Sequence, residues 1–209
     1  MKVSASFLSS NDIPNTLKLL NETDVDYIHV DIMDGKFTEN KTMPFSEMKN
    51  IYKYTDKRLD VHLMVNDPEK YIPLYASLNT EYITFHIETE KDIEKNIELI
   101  KSYSIKAGLA ISPETDVKEL VPYLPLLDYI LVMSVEPGKG GQEFIRSTKE
   151  KVDEVRTLIN EYSSKALISV DGGINSDTKD YCQNCDILVS GSFIVNNSNY
   201  QNQIDLLRK

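Results

Sequence analysis

His29 and Asp31 stand two residues apart in the run Ile28-His29-Val30-Asp31-Ile32-Met33-Asp34-Gly35, and Asp171 ends a second run, Ser169-Val170-Asp171-Gly172-Gly173. Side chains alternate faces along a strand, so His29 and Asp31 point the same way. That makes them either a pair of metal ligands or an acid/base group with its neighbour. The remaining histidines are His62, in Asp60-Val61-His62-Leu63-Met64-Val65, and His86, in Thr84-Phe85-His86-Ile87-Glu88. Together His29, Asp31, His62 and Asp171 suit one borderline divalent ion, Zn²⁺, Fe²⁺, Mn²⁺ or Co²⁺. Any one of these histidines alone reads better as a satisfied buried polar residue, but a set that ends strands beside aspartates reads as a site. His86 is assigned to support behind the ligands or to packing, and Asp34 to a turn that bonds its own backbone. Met33, Met64 and Met133 end three strands as core fillers that can also line an apolar site.

Glycine is scarce, with 8 in 209 residues, and it clusters in loops. Gly138, Gly140 and Gly141 fall in Met133-Ser134-Val135-Glu136-Pro137-Gly138-Lys139-Gly140-Gly141-Gln142, Gly172-Gly173 follows Asp171, and Gly191 lies in Ser190-Gly191-Ser192. Backbone amides exposed by glycine beside a short helix bind phosphate, and three such loops point to a phosphate site. Lys139 either adds positive charge there or is a solvated loop lysine.

Positioning these groups requires strands. Apolar, β-branched runs recur near residues 3 to 7, 27 to 32, 59 to 64, 82 to 86, 106 to 111, 128 to 133, 167 to 170 and 186 to 190. Segments between them carry apolar residues at helical spacing, such as Ile93, Ile97 and Ile100, or Val152, Val155, Leu158 and Ile159. Asn66-Asp67-Pro68-Glu69 and Asn175-Ser176-Asp177 supply helix-start chemistry. Strand and helix alternate throughout, which predicts a closed parallel (β/α)8 barrel in one domain over residues 1–209. An open doubly wound sheet is disfavoured because no dinucleotide fingerprint follows the first strand. In a barrel the active groups belong at the C-terminal strand ends, where the phosphate-binding loops also gather.

Hydrophobic residues make up 41% and charged residues 27%, ordinary values for a folded soluble chain. The net charge of −10 is dispersed, which argues against nucleic-acid or anionic-membrane partners. No run is long enough to span a bilayer and no secretory apolar stretch leads the chain, so a cytoplasmic location is expected. Cys182-Gln183-Asn184-Cys185 has no second CxxC and reads as incidental reduced thiols. A phosphorylated substrate, a divalent ion and two aspartates on opposite sides of a barrel mouth suggest proton transfer next to a carbonyl. One aspartate removes the proton and the other returns one from the opposite face, which is epimerisation.

At these residues the sequence resembles the ribulose-phosphate 3-epimerase family. The likeness runs from Ser4-Ala5-Ser6-Phe7-Leu8-Ser9 through the three histidine stretches, Gly108-Leu109-Ala110-Ile111 and the glycine loop to Val170–Ile174 and Gly191-Ser192. It implies a TIM barrel of the ribulose-phosphate-binding type that interconverts D-ribulose 5-phosphate and D-xylulose 5-phosphate. It also implies that His29, Asp31, His62 and Asp171 hold the metal, that Asp31 and Asp171 are the acid/base pair, and that Ser6 and His62 contact the substrate. Phosphate is then expected on Gly138, Lys139, Gly140, Gly141, Gly172, Gly173, Gly191 and Ser192, in a homo-oligomer. The chain departs from the family pattern at Ala5, over Lys36-Phe37-Thr38-Glu39-Asn40, at Lys139 and at Ser112. These positions touch the lid and rim, so the alternatives are a 3-epimerase of another ketose phosphate, such as a hexulose 6-phosphate, or a non-catalytic phosphate-binding barrel.

Overall fold

The computed structural model describes residues 1–89 and 92–209. Eight parallel strands, β1 (Lys2–Ser6), β2 (Tyr27–Met33), β3 (Leu59–Met64), β4 (Thr80–His86), β5 (Lys106–Ile111), β6 (Tyr129–Met133), β7 (Leu167–Asp171) and β8 (Ile187–Ser190), follow one another around a closed barrel. The closure is β1 against β8, with Ser4 paired to Val189. These strands are buried on both faces, which is why they read in sequence as continuous apolar runs.

The two faces of each strand have different tasks. On β2, Ile28, Val30 and Ile32 face outward into the core shared with the helices. The alternate residues Tyr27, His29, Asp31 and Met33 face the barrel axis. Helices α1 (Ile13–Asn21), α2 (Phe45–Met48), α3 (Pro68–Ala76), α4 (Ile93–Ser102), α5 (Thr148–Glu161), α6 (Ser192–Val195) and α7 (Tyr200–Arg208) lie outside. Their apolar stripes close on the sheet: Ile97 and Ile100 of α4, and Val152, Val155 and Ile159 of α5, are buried.

The expected strict alternation of strand and α-helix breaks at two connections, where 3-10 turns replace the α-helix. After β5 the connector is Val117–Tyr123, whose internal Pro122 lacks the amide hydrogen an α-helix needs. After β7 it is only Lys179–Cys182, because Asn175 Oδ1 first accepts the amides of Asp177 and Thr178 at 2.8 and 3.1 Å and holds the chain in a turn. Strand β2 runs to Met33, one residue past the expected run, and His29, expected at a strand end, is its third residue. Among the described residues no helix is long and apolar enough to cross a membrane.

The axial core is floored by tyrosines. Tyr82 packs edge-on to Tyr27 at 5.4 Å and tilted on Tyr129 at 4.5 Å between ring centroids. Gly108 makes room for this layer: a Cβ there would lie 2.5 Å from Thr84 Oγ1 and 3.0 Å from Tyr129 Cδ1. Gly108→Ala therefore overpacks the axis, and we expect it to lower the unfolding free energy by about 1–3 kcal/mol in urea titration. An unchanged midpoint and slope would show that the layer relaxes freely.

Candidate active site

Strand register brings the chemistry together. Asp31 pairs with His62 across β2 and β3, and Ser6 pairs with His29 across β1 and β2. Asp171, at the end of β7, joins them from a strand separated from β2 by β8 and β1. One ligating atom from each of His29, Asp31, His62 and Asp171 lies within 4.8 Å of all the others, a group that could hold a metal ion. His29 Nε2 is 3.2 Å from Asp31 Oδ1 and 3.6 Å from Asp171 Oδ2, and His62 Nδ1 is 3.1 and 3.8 Å from the same two atoms. Ser6 Oγ donates to the other oxygen of Asp31 at 3.2 Å.

His29 is fixed from behind. Its Nδ1 lies 2.9 Å from Asp60 Oδ2, which also accepts from Ser4 Oγ at 2.9 Å and Tyr129 Oη at 3.1 Å. A carboxylate on the far nitrogen orients the ring and leaves Nε2 toward the cluster. Neither Ser4 nor Tyr129 stood out in the sequence, since a serine and an aromatic in a strand carry no signal until the register is known. His86 lies outside the four-residue group, with its ring centroid 5.0 Å from that of His62.

Burial of like charges pushes the two aspartates apart in proton affinity. Burial acts first to raise Asp31, but the imidazoles of His29 and His62 outweigh it and hold this carboxyl far below its usual range. Burial is likewise the largest influence on Asp171, and with repulsion from Asp31 and Asp60 it outweighs His29 and pushes this group up to about 7. Burial works to lower His29, yet Asp31 and Asp60 leave its imidazole well above the ordinary value. Two carboxyls with such divided environments could serve as an acid/base pair.

The cluster opens on a cavity of about 1130 Å³ lined by Ser6, Asp31, Asp171 and the three glycine loops. Gly138, Lys139, Gly140, Gly141, Gly172, Gly173, Gly191 and Ser192 all lie on its wall, as do Met33, Met64 and Met133. His29 and His62 are fully buried and do not line it, so they reach the cluster beneath the two aspartates. Ser134 Oγ ties the β6 loop to the β7 loop by donating to the carbonyls of Asp171 and Gly172 at 2.8 and 2.6 Å, and within the β6 loop Gln142 Nε2 donates to those of Glu136 and Lys139 at 2.7 and 2.8 Å. Gly173 adopts φ +62°, and a Cβ there would lie 2.8 Å from the Phe144 backbone nitrogen, so the β6 and β7 loops touch through glycine.

The unusual stretch after Gly35 folds back as a hairpin over the rim. Asp34 Oδ1 accepts from the Lys36 and Phe37 amides at 2.8 and 3.0 Å, as a turn residue should, and its Oδ2 also accepts from the Asn66 amide at 2.9 Å. At the tip, Asn40 Nδ2 donates to the Gly138 carbonyl at 2.7 Å, and exposed Lys139 Nζ lies 3.4 Å from exposed Glu39 Oε2. The departing segments thus meet each other. Cys182 and Cys185 are free and buried, and burial pushes the Cys182 thiol up to about 12, so neither is poised for redox chemistry.

Known proteins share this arrangement of sequence. A profile described as the ribulose-phosphate 3 epimerase family matches residues 2–195. A ribulose-phosphate 3-epimerase of Bacillus subtilis is 35% identical over 100% of this chain and 98% of its own length. One from Buchnera aphidicola is 38% identical over 92% and 86%. Among solved structures, a 3-hexulose-6-phosphate synthase from Salmonella typhimurium superimposes with TM-score 0.65 over 99% of this chain and 96% of that one, at 20% identity, which speaks for the barrel alone. With the family profile spanning both His29-x-Asp31 and Asp171-Gly172-Gly173, this chain belongs to the ribulose-phosphate 3-epimerase family.

Proposed function

We propose that this protein interconverts D-ribulose 5-phosphate and D-xylulose 5-phosphate by moving a proton at C3 between two aspartates. The observation that carries the reading is the placement of Asp31 and Asp171, two half-buried carboxyls from different strands that face one cavity mouth within 4.8 Å of each other. Their strands, β2 and β7, are not neighbours, which leaves each carboxyl free to meet a different face of a bound sugar. One carboxylate takes the C3 proton, and the C–H electron pair moves toward C2 to give an enediolate. The other aspartate, protonated, delivers its proton to the opposite face of C3. Each turnover exchanges which aspartate carries the proton, and the reverse reaction restores the first state.

The donor set fits a divalent cation: two imidazoles and two carboxylates, with the far nitrogen of His29 already bonded to Asp60 so that Nε2 is the available donor. When bound there by His29, Asp31, His62 and Asp171, an ion of the Zn²⁺, Fe²⁺, Mn²⁺ or Co²⁺ class supplies positive charge that stabilises the negative charge developing on the substrate oxygens. Ser6 holds Asp31 by its hydroxyl and lies where it can also meet the sugar. The phosphate lies on the amides of Gly138–Gly141, Gly172-Gly173 and Gly191-Ser192, a backbone cradle that needs no cluster of basic residues in a chain of net charge −10. Met33, Met64 and Met133 exclude water around the reacting carbon.

Removing either carboxylate removes one half of the proton transfer. Asp31→Asn and Asp171→Asn should each lower kcat by at least about 10²–10⁴-fold, with the far-UV dichroism of the folded protein kept. Turnover of either variant within tenfold of wild type would refute the two-base reading. Metal uptake should also depend on pH. Against burial, Asp31 and Asp60 keep the His29 imidazole protonated well above its ordinary range, and its Nε2 must release that proton before it can serve as a metal donor. Metal affinity should therefore rise as the pH is raised from about 5.5 to 8, with protons released on binding, as counted by calorimetry in buffers of different ionisation enthalpy. An affinity flat across that interval would contradict this placement of protons.

A further inference from the structure

Behind His62 runs a chain of hydrogen bonds that proton transfer itself does not use. His62 Nδ1 faces the cluster, and its Nε2 lies 2.9 Å from His86 Nε2. His86 Nδ1 in turn lies 2.8 Å from Glu88 Oε2. The other oxygen of Glu88 accepts the Ser112 amide at 2.7 Å and the Thr115 hydroxyl. The turn carrying these donors is held by Lys151 of α5, whose Nζ donates to the carbonyls of Ser112 and Pro113 at 2.7 and 2.8 Å. Both histidines are fully buried, and the Phe37 ring from the rim hairpin lies over His86 at 4.7 Å between centroids.

The direction of every bond follows from the far end. An ionised carboxylate only accepts, so Glu88 requires a hydrogen on His86 Nδ1. A neutral His86 then presents a bare Nε2, and the 2.9 Å contact requires the hydrogen on His62 Nε2. His62 is left with its Nδ1 lone pair turned to the cluster. From this geometry we infer that His86 and Glu88 are positioning residues: they fix the tautomer and ring angle of His62 so that Nδ1 is a ready metal donor. His29 gets the same service from Asp60 in one step; His62 gets it in two.

This rests on reading the four-residue group as a metal centre. The test uses purified, metal-stripped full-length protein titrated with Zn²⁺ against a chromophoric chelator, with ¹⁵N spectra of the histidine rings in the Zn²⁺-loaded form. Wild type should bind Zn²⁺ and show His62 protonated on Nε2. Glu88→Gln and His86→Phe should each weaken Zn²⁺ binding by about 10–100-fold. His86→Gln should recover part of that loss, because its amide can accept from His62 and donate to Glu88 in the same sense. Wild type that takes up no Zn²⁺ would overturn the metal centre and this inference with it. Zn²⁺ bound normally by wild type, with Glu88→Gln or His86→Phe within twofold of it or with His62 protonated on Nδ1, would overturn the positioning role alone.

Discussion

Two carboxyls that repel each other govern the architecture of the barrel mouth. The ligating atoms of Asp31 and Asp171 lie within 4.8 Å, and at an effective dielectric constant of about 20 two full negative charges at that distance repel by about 3 kcal/mol or more. The fold does not separate them; it places His29 and His62 beneath them, each within reach of both. One carboxyl stays ionised at the expense of the other, which is the asymmetry a two-sided proton transfer needs.

Charges this close hold their geometry only if their neighbours cannot rotate. Asp60, with Ser4 and Tyr129, grips His29; His86 and Glu88, with Ser112 and Thr115, stand behind His62. Both anchoring carboxylates come from the strand system, Asp60 from β3 and Glu88 from the turn that follows β4. The catalytic mouth is therefore supported by polar contacts inside an otherwise apolar barrel, and the tyrosine floor below fixes the layer on which they rest. Toward solvent, Ser134 joins the β6 loop to the β7 loop, and Ser190 at the end of β8 joins it in turn, its Oγ donating to the Ile174 carbonyl at 2.8 Å.

Much of this was readable in the sequence because it depended on local period. Alternation placed His29 and Asp31 on one face, and buried parallel strands announced themselves as apolar runs. The 3-10 connectors after β5 and β7 were not readable as such, since their apolar residues mimic a helix that Pro122 and the Asn175 turn prevent. The support behind the histidines was hidden for another reason. His62 pairs in register with Thr84, so its partner His86 is two residues further along β4, a relation that exists only after the strands are aligned. The rim was equally opaque: Lys139 reads in sequence as a phosphate contact or as a solvated loop lysine, and only the fold shows that it lines the cavity with its ammonium 3.4 Å from Glu39 of the other unusual loop.

The central claim is that protons reach and leave C3 on opposite faces through different aspartates. Its most direct test is the first turnover of ribulose 5-phosphate in D₂O, followed by proton NMR at C3 of both sugars. Two separate acids and bases predict that newly formed xylulose 5-phosphate carries solvent deuterium at C3, while the remaining ribulose 5-phosphate acquires it more slowly. Product that retains its original C3 proton would contradict the account, because a single group would then have carried the same proton across.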